Sequence, residues 1–145
     1  MIRKSLSGMM VVAVVVVMLL AMLLAGCSNQ LTNGNQQRKV AAETRIQLGM
    51  AYLAKGNLPA ARYHFDKVLL AKPDHYQAQL GMALYEQYSG QPEAARQRYK
   101  MAMQYAPGND TVLYHYSVFL CEQGQYEEVK TLFTGSHADR RVCYQ

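Results

Sequence analysis

Cys27 is the residue whose surroundings point most directly to a chemical modification. It follows an apolar run over residues 9–24 and a short basic segment, the order found in secretory leaders. The four residues 24–27 read Leu-Ala-Gly-Cys, the small-residue pattern that a lipoprotein signal peptidase needs before its cysteine. After cleavage, the sulfur and the new amino nitrogen of such a cysteine are acylated, and several acyl chains bind a membrane far more firmly than one. We therefore predict a lipoprotein signal peptide over 1–26 and lipid attachment at Cys27.

Two other interpretations of this leader are an uncleaved transmembrane helix and an ordinary signal peptide. The apolar run is about 16 residues long, shorter than the roughly 20 that cross a bilayer, which favours cleavage. The residue after the cysteine is Ser28 and not the aspartate associated with retention at an inner membrane. The sequence thus predicts a lipid-anchored protein on the periplasmic face of a bacterial outer membrane.

Cys121 and Cys143 remain once Cys27 is lipidated. The periplasm is oxidising, which favours a disulfide between them. Such a bond would pin the irregular C-terminal tail, residues 134–145, to the helices before it. The alternative is a buried free thiol at Cys121 and a loose Cys143.

The histidines do not form a recognisable catalytic or metal-binding pattern. His64, His75, His115 and His137 are scattered, and no pair has the spacing of metal ligands. The chain also has no glycine-rich phosphate loop and no serine in a nucleophile-elbow context. We expect no catalytic residues, no metal and no cofactor, and hence a protein that is not an enzyme.

The elements that must carry these residues are indicated by a repeat of 34 residues. Residue types recur at that step in glycine, small, aromatic and proline columns, which is typical of tetratricopeptide repeats, each a helix, a turn and an antiparallel helix. Small residues belong where paired helices touch, an aromatic ring fills the space beside them, and glycine turns the chain. The columns are Gly56, Gly90 and Gly124; Ala61, Ala95 and Val129; Phe65, Tyr99 and Phe133; Gly49, Ala83 and Ser117; Pro73 and Pro107.

The predicted organisation is an all-α solenoid of about three such repeats over residues 38–133. Residues 27–37 are nearly all polar and are predicted to be a lipid-anchored coil, or tether. Six helices are expected, the first beginning near Lys39, with Asp74 capping the third and Asn109 or Asp110 capping the fifth. A further aromatic position, Tyr52 in the first repeat, is occupied by Glu86 in the second, a departure from the pattern.

The charge of the chain argues against nucleic acid. Removing residues 1–26 lowers the formal net charge from +5 to +3, too small a balance to indicate a polyanion partner. The basic residues of the second helices are expected to lie on solvated helix faces. These are Arg62, Arg96, Arg98 and Lys100.

The first helices of stacked pairs line the concave side of a solenoid, and their apolar residues are the candidate binding surface. An apolar, aromatic strip of this kind suits an amphipathic helix or an extended segment of a protein partner. The alternative for each residue is a place in the core between repeats. The predicted strip consists of Ile46, Met50, Leu53, Leu80, Leu84, Tyr88, Tyr114 and Val118.

From Ala42 to Cys121 the chain resembles the type IV pilus biogenesis lipoproteins known as the PilF/PilW or pilotin family. The most telling stretch is residues 112–129, where the family has an Asn-Asn-Tyr-Gly segment, then Phe-Leu-Cys, Gln-Gly and Tyr-Glu-Glu-Ala. The matching residues are Tyr116, Phe119, Leu120, Cys121, Gln123, Gly124, Tyr126, Glu127 and Glu128, whereas Tyr114, His115, Ser117 and Val129 depart from the pattern.

This resemblance implies a scaffold that helps the pilus secretin to localise or assemble in the outer membrane. Family members carry more repeats than this chain, so we expect either a lost C-terminal part or a reduced member. Two alternatives remain open: a repeat lipoprotein of the tight-adherence (Flp) pilus system, and a general adaptor for other envelope proteins.

Overall fold

A computed structural model describes residues 12–19, 30–133 and 143. In these residues the fold contains helices and no strand, which confirms the predicted all-α repeat architecture. Residues 12–19 form α1. The remaining helices make three helix-turn-helix pairs: α2 (Gln30–Ala54) with α3 (Leu58–Ala71), α4 (Tyr76–Tyr88) with α5 (Pro92–Tyr105), and α6 (Asp110–Glu122) with α7 (Tyr126–Leu132).

The helix ends follow local chemistry. The side chain of Asn57 accepts a hydrogen bond from the N–H of Ala60 at the start of α3, and Asn109 does the same for Val112 in α6, both at 3.2 Å. Such caps satisfy one of the N–H groups that have no partner in the first turn. The predicted Asp74 cap is wrong: α4 is preceded by His75, whose side chain makes no capping bond.

The turn glycines have a conformational reason for their place in the period. Gly56, Gly90 and Gly124 have φ values of 71° to 72°, in the left-handed region that a Cβ disfavours. Gly108 adopts the same conformation in the turn between α5 and α6.

The chain divides into two compact units, residues 1–41 and 42–145. In the first unit, α2 already begins at Gln30, so residues 30–37 are helical and not the coil that the tether prediction described. Extending an existing helix adds one hydrogen bond per residue without a new nucleation step, which allows a polar segment to join it. The rest of the tether, with Cys27, lies outside the described residues.

The second unit contains the core, and each helix from α3 to α7 packs against the next. The small and aromatic columns of the period fill it. Ala61, Phe65, Ala95 and Tyr99 are fully buried, and Ser117 is as well. The 34-residue repeat thus predicted correctly which residues are buried where helices pack.

Phe65 of α3 is enclosed by two glycines. A Cβ built on Gly49 of α2 would lie 2.5 Å from Cε1 of the Phe65 ring, and one on Gly81 of α4 would come closer still. Both backbones therefore pack directly on the ring. Gly49 belongs to a predicted column, whereas the role of Gly81 was not predicted, because it stands outside the 34-residue columns.

The described part of the chain holds no helix that is both long and apolar enough to cross a membrane. Only residues 12–19 of the apolar run 9–24 belong to that part. The predicted cleavage site and, from the predicted tail, residues 134–142 and 144–145 lie outside it.

Candidate functional site

The predicted strip separates into a buried part and an accessible part. Tyr88 and Tyr114 are exposed, at 63% and 52% of their surface. Met50 and Val118 are half-buried. The other four are at most 7% exposed and serve as core: Ile46, Leu53, Leu80 and Leu84.

The buried four lie in two clusters. Leu53, Leu80 and Leu84 belong to the main core, while Ile46 packs with Val68 and Ala78. For these four residues the structure agrees with the inter-repeat core alternative. Helical periodicity could not separate the two roles, because it gives a direction around one helix and not the distance to the next helix.

A hydrogen-bonded link crosses three helices beside Tyr88. The hydroxyl of Tyr99 in α5 donates to Oε1 of Gln87 in α4 at 2.6 Å, and Nε2 of Gln87 donates to Oε2 of Glu122 in α6 at 2.7 Å. Burial raises the pKa of the Tyr99 hydroxyl, and the Glu122 charge adds to the effect, so the group stays a donor. Gln87, the residue before Tyr88, is therefore tied to both α5 and α6, which restrains the backbone at Tyr88.

A second polar group joins α5 to α7. Glu128 accepts from the hydroxyl of Tyr116 and from Nη1 of Arg96, both at 2.8 Å, and Arg96 also donates to Gln125. The Arg96 guanidinium lies 5.6 Å from the centre of the Phe119 ring. The expectation of a solvated face is therefore wrong for Arg96. An open cleft of about 410 Å³ lies beside it, along the start of α7.

A third group explains the departure at Glu86. Its Oε1 lies 3.3 Å from Nε of Arg98, whose Nη1 donates to Oε1 of Gln79 at 3.0 Å. Gln79 in turn donates to the carbonyl of Pro73 at 2.7 Å. Burial raises the pKa of the Glu86 carboxyl while the Arg98 charge lowers it, and Oε2 of Glu86 has no hydrogen-bond partner. Arg98 is thus a half-buried ion-pair partner of Glu86, and the expectation of a fully solvated position is wrong for it.

In the part of the chain that the structure describes, the titratable groups with shifted pKa values lie apart from one another. In the described residues no three His, Cys, Asp or Glu side chains stand close enough to hold a metal ion. Burial lowers the pKa of His75, with Lys72 adding to it, and burial alone lowers the pKa of His115. These shifts belong to separate, half-buried packing positions.

A disulfide joins Cys121 in α6 to Cys143, with the two Cα atoms 5.5 Å apart. Both residues pack against the main core cluster. The bond spans a sequence separation of 22 residues, so it ties the C-terminal region to the last helix pair.

Three comparisons place this architecture among known proteins. The family model described as tetratricopeptide repeat matches residues 88–140. A protein of Pseudomonas aeruginosa described as type IV pilus assembly protein PilF is 35% identical over 114 residues, which are 74% of this chain and 45% of that protein. An uncharacterised protein of Haemophilus influenzae is 27% identical over 111 residues, which are 77% of this chain and 62% of that protein.

A solved structure is similar as well. It is described as "Functional Characterization of Pseudomonas Aeruginosa pilF" and matches with a TM-score of 0.66 and 32% identity, over 71% of this chain and 46% of that one. The chain therefore spans about half the length of the relatives to which it is similar.

Proposed function

The chain is a tetratricopeptide-repeat protein that resembles the type IV pilus assembly protein PilF, and from that premise we propose that it is a scaffold that binds a protein partner during type IV pilus assembly. The observation that carries the proposal is the agreement of sequence and fold with PilF over about three quarters of the chain. A repeat solenoid stabilises itself through neighbouring helix pairs and leaves its outer surfaces available for partners.

The proposed location is the periplasmic face of the outer membrane, with acylated Cys27 as the anchor. The Leu-Ala-Gly-Cys sequence after an apolar leader supports it. Cys27→Ala removes the thiol that would receive the lipid. We expect that variant to accumulate unprocessed and outside the outer-membrane fraction, and normal fractionation would contradict the anchor.

The proposed partner is the pilus secretin, and the proposed contact surface is the accessible part of the strip. Four residues keep accessible surface on the first helices of their pairs: Tyr88, Tyr114, Met50 and Val118. Exposed tyrosines supply large contact area with few rotatable bonds, which suits them to carry binding energy.

The test is a pull-down of secretin by the full chain, comparing a double variant with a matched control. Tyr88→Ser with Tyr114→Ser should weaken binding by about tenfold or more, because both rings are expected to be buried against the partner. Tyr105→Ser removes another exposed tyrosine, from the second helix of its pair, and should leave binding unchanged.

Circular dichroism of both variants checks that the helices persist. Equal secretin recovery by the double variant and the control would overturn the assignment of the accessible part of the strip as the contact surface. Recovery of tight-adherence components or of other envelope proteins in place of secretin would instead support one of the alternative partners.

A further inference from the structure

The outer side of α3 carries an apolar and basic surface that the core does not use. Tyr63 and Leu70 are 54% and 79% exposed, and Lys67 lies between them with Nζ 5.5 Å from the centre of the Tyr63 ring. The spacings of four and three residues place all three side chains on one side of the helix. We call these residues the α3 stripe.

The repeat architecture does not require these residue types. One period later, the equivalent positions of α5 are Gln97, Met101 and Gln104. Gln97 and Gln104 are exposed, as their polar side chains allow. Because the same position in the fold takes glutamine in the second repeat, the exposed tyrosine and leucine of the first repeat are not explained by helix packing.

The α3 stripe ends where the chain enters the second unit. Ala42, the first residue of that unit, packs with Leu69 against a cluster that contains Val68. Leu70 directly follows Leu69 and so lies at this same end. The 15 residue-to-residue steps from Cys27 to Ala42 span about 22 Å as a helix and about 50 Å when extended. A lipid attached at Cys27 would therefore limit the distance between this end of the unit and the membrane surface to the length of that segment.

The charges on this side favour a surface rich in phosphate. Lys67 is part of the stripe, and exposed Lys72 follows it. Asp66 is paired with Arg62 at 3.3 Å, and Asp74 is the exposed acidic residue that follows Lys72. The segment between Cys27 and Ala42 carries Arg38 and Lys39 and no acidic residue. Lysines beside exposed tyrosine and leucine are the combination that settles at a lipid headgroup region, where aromatic and aliphatic groups are partly buried and ammonium groups meet phosphates.

We propose that the α3 stripe rests on the headgroup region of the membrane that holds the lipidated chain, with Tyr63 and Leu70 at the interface and Lys67 on lipid phosphates. This inference depends on the lipid anchor of the proposed function and is independent of the identity of the protein partner. The contact orients the repeat unit, so that the first helices of the pairs remain available to a partner.

The experiment uses the full, acylated chain in vesicles of phosphatidylethanolamine with phosphatidylglycerol. Leu70→Cys is labelled with an environment-sensitive fluorophore, and Gln104→Cys, the equivalent position of α5, is labelled as the matched control. Quenching by a nitroxide-bearing lipid should be at least about threefold stronger at position 70 than at position 104, because only the first would lie at the lipid surface. Equal quenching at both positions would overturn the proposal.

Two further arms separate the possible causes. Lys67→Glu in the Leu70→Cys background should reduce the quenching in anionic vesicles and change it little in neutral phosphatidylcholine vesicles, because the lysine contributes through lipid charge. A label at position 70 that stays in water on vesicles, yet becomes shielded when secretin is added, would identify a protein site and overturn the lipid contact.

The anchor and the partner are measured separately. Flotation of the chain with the vesicles reports acylation, and secretin pull-down reports partner binding. A chain that floats but shows equal quenching refutes the α3 stripe contact alone, whereas a chain that does not float refutes the anchor on which the contact depends.

Discussion

Aromatic rings fill the space between packed helices in two different ways, one at Phe65 of the first repeat and the other at the junction of the second and third repeats. In the first, the Phe65 ring is enclosed by the backbones at Gly49 and Gly81. At the junction, Tyr99 stacks on Tyr116 with ring centres 5.3 Å apart. One solution depends on steric fit around an apolar ring, whereas the other brings two hydroxyl groups into the core.

The hydroxyl groups explain the polar side chains that surround these two tyrosines. A buried hydroxyl without a partner is costly, and Gln87 and Glu128 supply the acceptors for Tyr99 and Tyr116. The Phe65 ring needs no hydrogen-bond acceptor, but it leaves no room for a side chain at Gly49 or Gly81. The comparison teaches that the packing around Phe65 depends on close approach of two backbones. The packing of the second and third repeats depends instead on hydrogen bonds between side chains and on a disulfide.

The largest expected effect is at the disulfide. Cys143→Ser should lower the free energy of unfolding by about 3 kcal/mol, because the bond restricts a loop of this size in the unfolded chain. Urea unfolding with and without reductant measures it, and the variant itself should no longer respond to reductant. Reactive thiols at both cysteines in protein purified without reductant would contradict the bond.

Gly81→Ala tests the steric solution. The new methyl group would overlap the Phe65 ring, and we expect a loss of about 2 kcal/mol in the free energy of unfolding. Gly34→Ala is the matched control, since that helical glycine has no neighbour near its Cβ position, and there alanine should stabilise by about 0.5–1 kcal/mol. If Gly81→Ala unfolds at the wild-type urea concentration, the ring is not tightly enclosed.

Arg98→Ala tests the ion pair of the second repeat. The substitution leaves a mostly buried Glu86 carboxylate without its partner, and we expect a loss of about 1–2 kcal/mol, reduced because Arg98 is partly exposed. Glu86→Leu alone should change the free energy of unfolding little. The double variant, Arg98→Ala with Glu86→Leu, should recover most of the stability lost in Arg98→Ala. Additive losses in urea unfolding would show that the two side chains act independently.

The smallest effect is the pH dependence of stability. The pKa of His115 is lowered in the fold, so the unfolded chain takes up the proton first, and stability is lost as pH falls through about 6.5 and below. The raised pKa of Glu86 acts with the opposite sign: the folded state takes up that proton first and gains stability as pH falls towards the ordinary glutamate pKa. His115→Asn should reduce the slope of the unfolding free energy against pH between about pH 7.5 and 5.5, and His75, whose pKa is also lowered, accounts for the slope that remains. An unchanged slope would contradict the assignment.

The sequence alone was sufficient to predict the helices of the repeat unit and the columns of residues that pack between them. Gly56, Gly90 and Gly124 mark turns because a backbone of positive φ disfavours a side chain, and the alternation of small and aromatic residues shows where helices touch. The start of α2 at Gln30 was not predictable from composition, because a polar segment becomes helical there by extending a helix that already exists.

Only the tertiary structure decided what each apolar or charged side chain does. Leu84 and Tyr88 were predicted to lie on the same strip, yet the first is core and the second is exposed, because neighbouring helices cover one and not the other. Arg98 and Glu86 are 12 residues apart on different helices, and the 34-residue repeat does not predict their contact. Residue types and their spacing determine the local geometry of a repeat, whereas burial and pairing depend on distances between helices that arise only when the repeats stack.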